Sequence, residues 1–219
     1  MLKKIYVLLA AIGLLIFTNA VKTLGQTKST LAAHKTVAIL PFKVSFASKL
    51  EKAKKFTEQD TEQLKKYISI ALQQYLYATF KGKQKRFPYT VIFQPADLTD
   101  SLLSANGITF AELTAENKKE KLCRILNVDA VIFTQAIFAQ KTALTKNQLI
   151  YPGKLEMTIS IYDSILTDPL WEFNRVREQK RNSGGYFAEN KYEEVLLPWK
   201  PTIARMFQNF TADIPYKKK

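Results

Sequence analysis

Apolar and polar positions change period along this chain, and the changes mark its elements. Thr36 to Phe42, TVAILPF, is a short continuous apolar run, which suits a strand covered on both faces. Pro41 marks its end, because proline donates no hydrogen bond to a sheet ladder. Lys43 to Phe56 then reads as an insert rich in Lys, Ser and Ala. Leu64, Ile68, Ala71, Leu72, Tyr75 and Thr79 recur at helical spacing and predict one long helix over about residues 60–80. Thr57 or Asp60 supplies its N-cap, and acids fill the first turn. Gly82 is placed as the C′ residue, with Lys81, Lys83, Lys85 and Arg86 at the negative end of the helix dipole.

Tyr89 to Phe93, introduced by Pro88, is a second short strand. Pro95 to Leu103 is a short helix stopped at Asn106-Gly107. Thr109 to Asn127 is helical in two pieces, with Thr114 as an internal cap and Leu122, Cys123, Ile125 and Leu126 as its buried end. Leu126 to Phe133, LNVDAVIF, is where that helix ends and the chain enters the sheet, opening a long strand over Ala130 to Leu144. After a turn at Pro152-Gly153, Leu155, Met157, Ile159 and Ile161 alternate with Glu156, Thr158, Ser160 and Tyr162, the period of a strand with one buried face. Asp163 to Pro169 is a hairpin loop, and Leu170 to Glu178 returns antiparallel, with Trp171 and Phe173 on one face. Asn182-Ser-Gly-Gly lacks the Gly-Lys-Ser/Thr of a phosphate loop. A last helix begins at Asn190, is interrupted by Pro198 and Pro201, and packs through Ile203, Met206, Phe207 and Phe210. Tyr216-Lys-Lys-Lys reads as a frayed basic tail.

This order predicts an α/β chain of the α+β kind: a single mixed sheet of about five strands packed with three to four helices. The domain runs over residues 36–212, with a basic tail at 213–219. Ahead of it, residues 1–20 read as a secretory signal, with cleavage as late as residue 25. Lys3 and Lys4 form the positive region, Ile5 to Phe17 is apolar but shorter than a spanning helix, and Thr18-Asn19-Ala20 supplies small residues for cleavage. Residues 21–35 read as a flexible leader. The chain is therefore expected to be exported, to the periplasm first, with secretion or peripheral attachment to the envelope as alternatives; its mature part has no membrane span unless the apolar run is retained as an anchor. No cysteine follows the apolar run, so a lipoprotein anchor is not expected.

Composition narrows the chemistry. Hydrophobic residues make up 47%, enough for an ordinary core. One Cys and one His leave too few ligands for a structural zinc site and no partner for a disulfide. Cys123 is expected to be a small core hydrophobe and His34 a solvated linker residue. No metal or cofactor is expected. Lys and Arg number 33 against 19 Asp and Glu, a net charge of +14, which bears on partners rather than on fold.

Three phrases together resemble a known group. TVAILPF at 36–42 resembles the opening strand of that group. LCRILNVDAVIF at 122–133 resembles its helix-to-strand step "lgvDavi". Ile161 to Trp171, IYDSILTDPLW, resembles its hairpin ending in "lW". They are similar to envelope proteins sharing the TolB N-terminal-domain fold, also seen in CsgG-like secretion lipoproteins and in LpoB-type activators of peptidoglycan synthases. Asn127 stands where the group has glycine, Asp168-Pro169 replaces a glycine turn, and the lipoprotein cysteine is missing. No hairpin pair long enough for a CsgG-like barrel is evident, so pore formation is not carried over. The resemblance implies a scaffold or adaptor and no catalytic residues.

The expected function is therefore a non-catalytic exported domain that binds an envelope protein, an acidic wall polymer or an anionic membrane surface. A component of an outer-membrane secretion or assembly system is one alternative. A carboxylate-dependent hydrolase using Glu193 and Glu194 or Asp163 and Asp168 is the other; adjacent helical carboxylates point apart, which weighs against it. The export signal and the lack of a nucleic-acid motif argue against a nucleic-acid partner. The expected docking site is basic: residues 43–86 carry eleven Lys and Arg against four acids. Lys52, Lys54 and Lys55 precede the long helix and Lys81, Lys83, Lys85 and Arg86 follow it, two clusters at opposite ends of a rod about 30 Å long.

Overall fold

A computed structural model describes residues 30–47, 57–84, 86, 88–114, 119–139, 153–179 and 188–218. The chain divides into two units, residues 1–34 and 35–219. Of the first, residues 30–33 form a helical turn. His34 follows it and is only 7% exposed. It is thus a buried histidine, not the solvated linker residue expected from sequence.

The second unit contains β1 (Thr36–Ile39), β2 (Lys43–Phe46), α1 (Glu58–Gln84), β3 (Ile92–Phe93), α2 (Ala96–Ala105), α3 (Phe110–Thr114), α4 (Lys119–Leu126), β4 (Ala130–Ala139), β5 (Lys154–Asp163), β6 (Trp171–Glu178), α5 (Lys191–Leu196) and α6 (Lys200–Asp213). A single turn of 3-10 helix, Leu197–Trp199, joins the last two. The strands form one mixed sheet in the order β3-β1-β4-β5-β6, with β2 also paired to β4. Pairings among β1, β2, β3 and β4 are parallel, and β5 and β6 join antiparallel.

β2 falls in the stretch the sequence reading treated as an insert. Pro41 interrupts the strand without ending it. Ile39 pairs with Ile132 and Lys43 with Gln135, so four steps on this side match three on β4. That is a one-residue bulge, a place where a sheet tolerates proline. The bulge takes the carbonyls of Ile39 and Phe42 out of the regular ladder, and α1 supplies donors to both. Ser69 Oγ donates to Phe42 O at 2.6 Å, and Gln73 Nε2 donates to Ile39 O at 2.9 Å and to Asp100 Oδ1 at 3.0 Å. Buried carbonyls need such partners.

This requirement also shifts the buried stripe of α1. Leu64, Ile68, Leu72, Leu76 and Phe80 are buried together with Thr61, Ser69 and Gln73, while Tyr75 is left at the surface. The helix begins on a capping box: Thr57 Oγ1 accepts from Asp60 N, and Asp60 Oδ2 accepts from Thr57 N. It runs four residues beyond the predicted end, so Gly82 lies inside it rather than at C′.

α1 and α6 cover one face of the sheet. Phe42 meets Phe207, Phe138 meets Trp199, and Trp171 and Phe173 stack at 6.1 Å and both touch Phe210. Trp171 and Phe173 therefore share the face expected of them. The second face carries α2, α3 and α4 over Ala38, Leu40, Val131 and Phe133. Lys119 is buried there, its Nζ donating to Leu113 O and lying 3.8 Å from the Phe133 ring centroid. These helices cover only half of that face. On the other half Ser45, Ile137, Glu156 and Val176 line up across four strands, and Ile137 and Val176 stay exposed.

Candidate functional site

The LNVDAVIF junction determines how the chain enters the sheet. Asn127 adopts the left-handed conformation, φ +52°, which asparagine tolerates where the resembled group has glycine. Its N–H donates to Arg124 O, and Val128 N donates to Cys123 O, closing α4. Asp129 then ties β1 to β4. Its Oδ2 accepts from Lys35 N and Thr36 N, each at 2.8 Å, and from Thr36 Oγ1, while its own N–H donates to Thr36 O.

A second carboxylate works in a similar way at the same end of the sheet. Asp163, paired with Ala130 and 1% exposed, accepts from Ile165 N and Leu166 N through Oδ1, an Asx turn that fixes the β5–β6 loop. Cys123 is fully buried nearby. Burial, and after it the Asp163 charge, push its thiol up to about 12, so it is protonated at neutral pH and inert as a nucleophile.

The two acid pairs named for a hydrolase lie on different elements. Asp163 ends β5 and Asp168 lies in the loop after it. Glu193 belongs to α5, whose first turn lies beside the start of α1 through a Lys191–Asp60 ion pair. Asn190 Oδ1 caps α5 by accepting from Tyr192 N and Glu193 N. Glu193 accepts from Glu189 N and pairs with Lys200 at 2.9 Å. The backbone N–H, and then Lys200, hold its carboxyl below the ordinary range. Glu193 and Lys200 border a groove of about 490 Å³ between α1 and α6, walled by Tyr67 and Tyr75. Among the described residues no group of His, Cys, Asp and Glu is placed to hold a metal ion. Nor is any described helix long and apolar enough to cross a membrane.

The basic residues are placed as follows. Lys52, Lys54, Lys55 and Lys85 lie outside the described residues, so the separation of the two clusters is not described. Lys81 and Arg86 are exposed at the end of α1. Lys83 turns inward. Its Nζ donates to Thr211 Oγ1 at 2.8 Å and Gln208 O at 3.1 Å, joining α1 to α6. Burial, and after it Lys217, lower its pKa.

That neighbour was missed from sequence. The C-terminal residues are pinned rather than frayed. Tyr216 is 1% exposed and Ile214 2%. Thr90 N donates to Tyr216 O at 2.7 Å, Lys218 N donates to Pro88 O, and Lys217 bridges Tyr89. Two buried side chains two residues apart are a strand signal, IPY before the lysines, and the basic run hides it. Lys217 and Lys218 thereby arrive beside the end of α1.

No protein family matches the sequence, and no curated protein does either. The fold is similar to three solved structures. Lipoprotein GNA1162 from Neisseria meningitidis is 14% identical, over 78% of this chain and 99% of that one, with a TM-score of 0.47. The hypothetical protein CT253 from Chlamydia trachomatis is 15% identical, over 84% and 98%, with a TM-score of 0.42. The LpoB C-terminal domain from Salmonella enterica is 9% identical, over 67% and 84%, with a TM-score of 0.35. At such values the likeness says nothing about function, and the reading below stands on this chain's own residues.

Proposed function

We propose that the chain is an exported, non-catalytic interaction domain that docks through its basic end on an acidic envelope partner. The convergence of two basic segments carries the reading. Lys81 and Arg86 at the end of α1, and Lys217 and Lys218 at the C-terminus, are remote in sequence; Lys217 bridges Tyr89, and its charge reaches Lys83 on α1. Exposed lysines act as point charges that attract with little geometric demand, which suits an anionic surface or polymer. The signal-like residues 1–20 support export. The carboxylates nearest to a catalytic role, Asp163 and Glu193, each hold backbone N–H groups, a structural task.

Co-sedimentation of the full chain with cell-wall preparations and anionic vesicles tests this. Binding is expected to fall steeply with salt. Replacing Lys81, Arg86 and Lys218 with Gln should reduce it about tenfold or more and leave the thermal midpoint in place. Undiminished binding by that variant at low salt would overturn the reading.

A further inference from the structure

Resting on that reading, we propose that the basic end is a lipid-docking end, and that the β5–β6 hairpin tip enters an anionic membrane surface through Ile165 and Leu166. The register places the parts together. Thr36 pairs with Ile92, Val37 with Ala130, Ala130 with Asp163, and Ile161 with Trp171, so β1, β3, β4 and β6 begin, and β5 ends, at one end of the sheet. α1 finishes at that end, seven residues before β3, and the C-terminal residues bridge the same stretch at Tyr89.

The tip is built to present apolar groups. Ile165 is 78% exposed and Leu166 42%. A scattered surface leucine needs no explanation, but two adjacent large apolar side chains at the turn of a hairpin do. The loop is not loosely held: both N–H groups are taken by the Asp163 carboxylate, so the backbone is fixed before any partner arrives. Preorganisation lowers the entropic cost of docking. The exposed cations at this end include Lys35, Arg86, Arg124 and Lys218, with Lys81 just behind on α1, against exposed carboxylates at Asp97, Asp168 and Asp213. Apolar side chains at a tip, with exposed cations at the same end of the sheet, are the combination that binds an anionic lipid interface. An apolar pocket on another protein would take the tip equally well, yet it gives no reason for the excess of exposed cations over exposed carboxylates at this end.

The test reads the depth of the tip. Cys123 is buried and its thiol stays protonated, so Ile165→Cys provides the one reactive thiol in the folded full chain for a polarity-sensitive fluorophore. Glu62→Cys, near the other end of α1, is the control. With phosphatidylglycerol-containing vesicles the label at position 165 should shift to the blue and brighten several-fold, and the control should not. Pure phosphatidylcholine should give little change, and Ile165→Asp/Leu166→Asp should weaken binding to anionic vesicles about tenfold. If the label stays in water while salt-sensitive binding persists, tip insertion fails and the basic docking surface stands. If no salt-sensitive binding to vesicles or wall material occurs, both fail. A shift produced by lipid-free envelope protein and not by vesicles would assign the tip to a protein pocket and overturn the lipid assignment.

Discussion

The two ends of α1 deal with charge in opposite ways. Among the described residues at its start, acids and bases pair: Asp60 with Lys191, Glu62 with Lys65, and Glu193 with Lys200. At its finish none of the salt bridges among the described residues includes Lys35, Lys81, Arg86 or Lys218. The nearby carboxylates, Asp129 and Asp163, are turned to backbone N–H groups instead. A surface that neutralises itself has little electrostatic reach, whereas one that keeps its cations exposed attracts partners over roughly a Debye length. Among the described residues the first end is thus a paired seam, and the second keeps its cations exposed.

The strongest way to break this contrast is to release the C-terminal anchor. Tyr216→Ala empties a site that is 1% exposed and should cost about 3–5 kcal/mol in urea denaturation. It should also weaken binding by freeing Lys217 and Lys218 from the end of α1. A loss below about 0.5 kcal/mol, the level of an ordinary surface change, would mean that the tail is frayed after all and the basic end is not assembled.

Asp129→Ala comes next. It removes the acceptor for two backbone N–H groups and one hydroxyl at the entry of β1, and should cost about 2–3 kcal/mol. Amide exchange at Lys35 and Thr36 should rise far more than at Asp60. Equal acceleration at both would show that the carboxylate does not pin this end in particular.

Local pattern carried much of the fold. The alternation in β5 and the helix stop at Asn106-Gly107 were both legible, because each depends on a few neighbouring residues. β2 was not, because the rule that proline ends a strand yields at a bulge, and only the pairing of Lys43 with Gln135 reveals one. Ser69 and Gln73 were outside the apolar stripe of α1 for the same reason: they serve carbonyls that the bulge exposes. The site was half legible. Lys81, Lys83 and Arg86 stand out in sequence, but Lys83 proves to be a tether, and Lys217 and Lys218 reach the cluster through a contact more than a hundred residues distant in the chain.

Lys83→Met sharpens the contrast within the basic end. It deletes two hydrogen bonds to α6 but leaves the exposed cations in place, so it should cost about 1 kcal/mol of stability. Binding to anionic vesicles should change less than with Arg86→Gln. The opposite ranking would make Lys83 part of the docking surface and not of the helix seam.

The smallest effect separates the two ends by pH. Asp60 and Glu193 are held below their ordinary values, Asp60 first by Lys191 and Glu193 first by the Glu189 N–H. A carboxylate with a depressed folded pKa stabilises above its unfolded pKa and loses that contribution as pH falls through the folded one. The seam at the start of α1 should therefore weaken below about pH 4. In alkali the ends diverge. Lys191 is raised, first by its hydrogen bond to Asp60, so its contribution is complete below the unfolded lysine pKa and disappears as pH rises through the higher folded value. Lys83 is lowered, first by burial, so between its two pKa values the unfolded chain binds more protons and stability rises with pH. Urea midpoints of the wild type, Lys83→Met and Lys191→Met, followed from pH 7 to about 11 across the lysine range, read both signs. The advantage of wild type over Lys83→Met should grow toward alkaline pH, and that over Lys191→Met should shrink. Parallel profiles would mean that the two lysines share one environment, and that the difference between the ends of α1 does not extend to these groups.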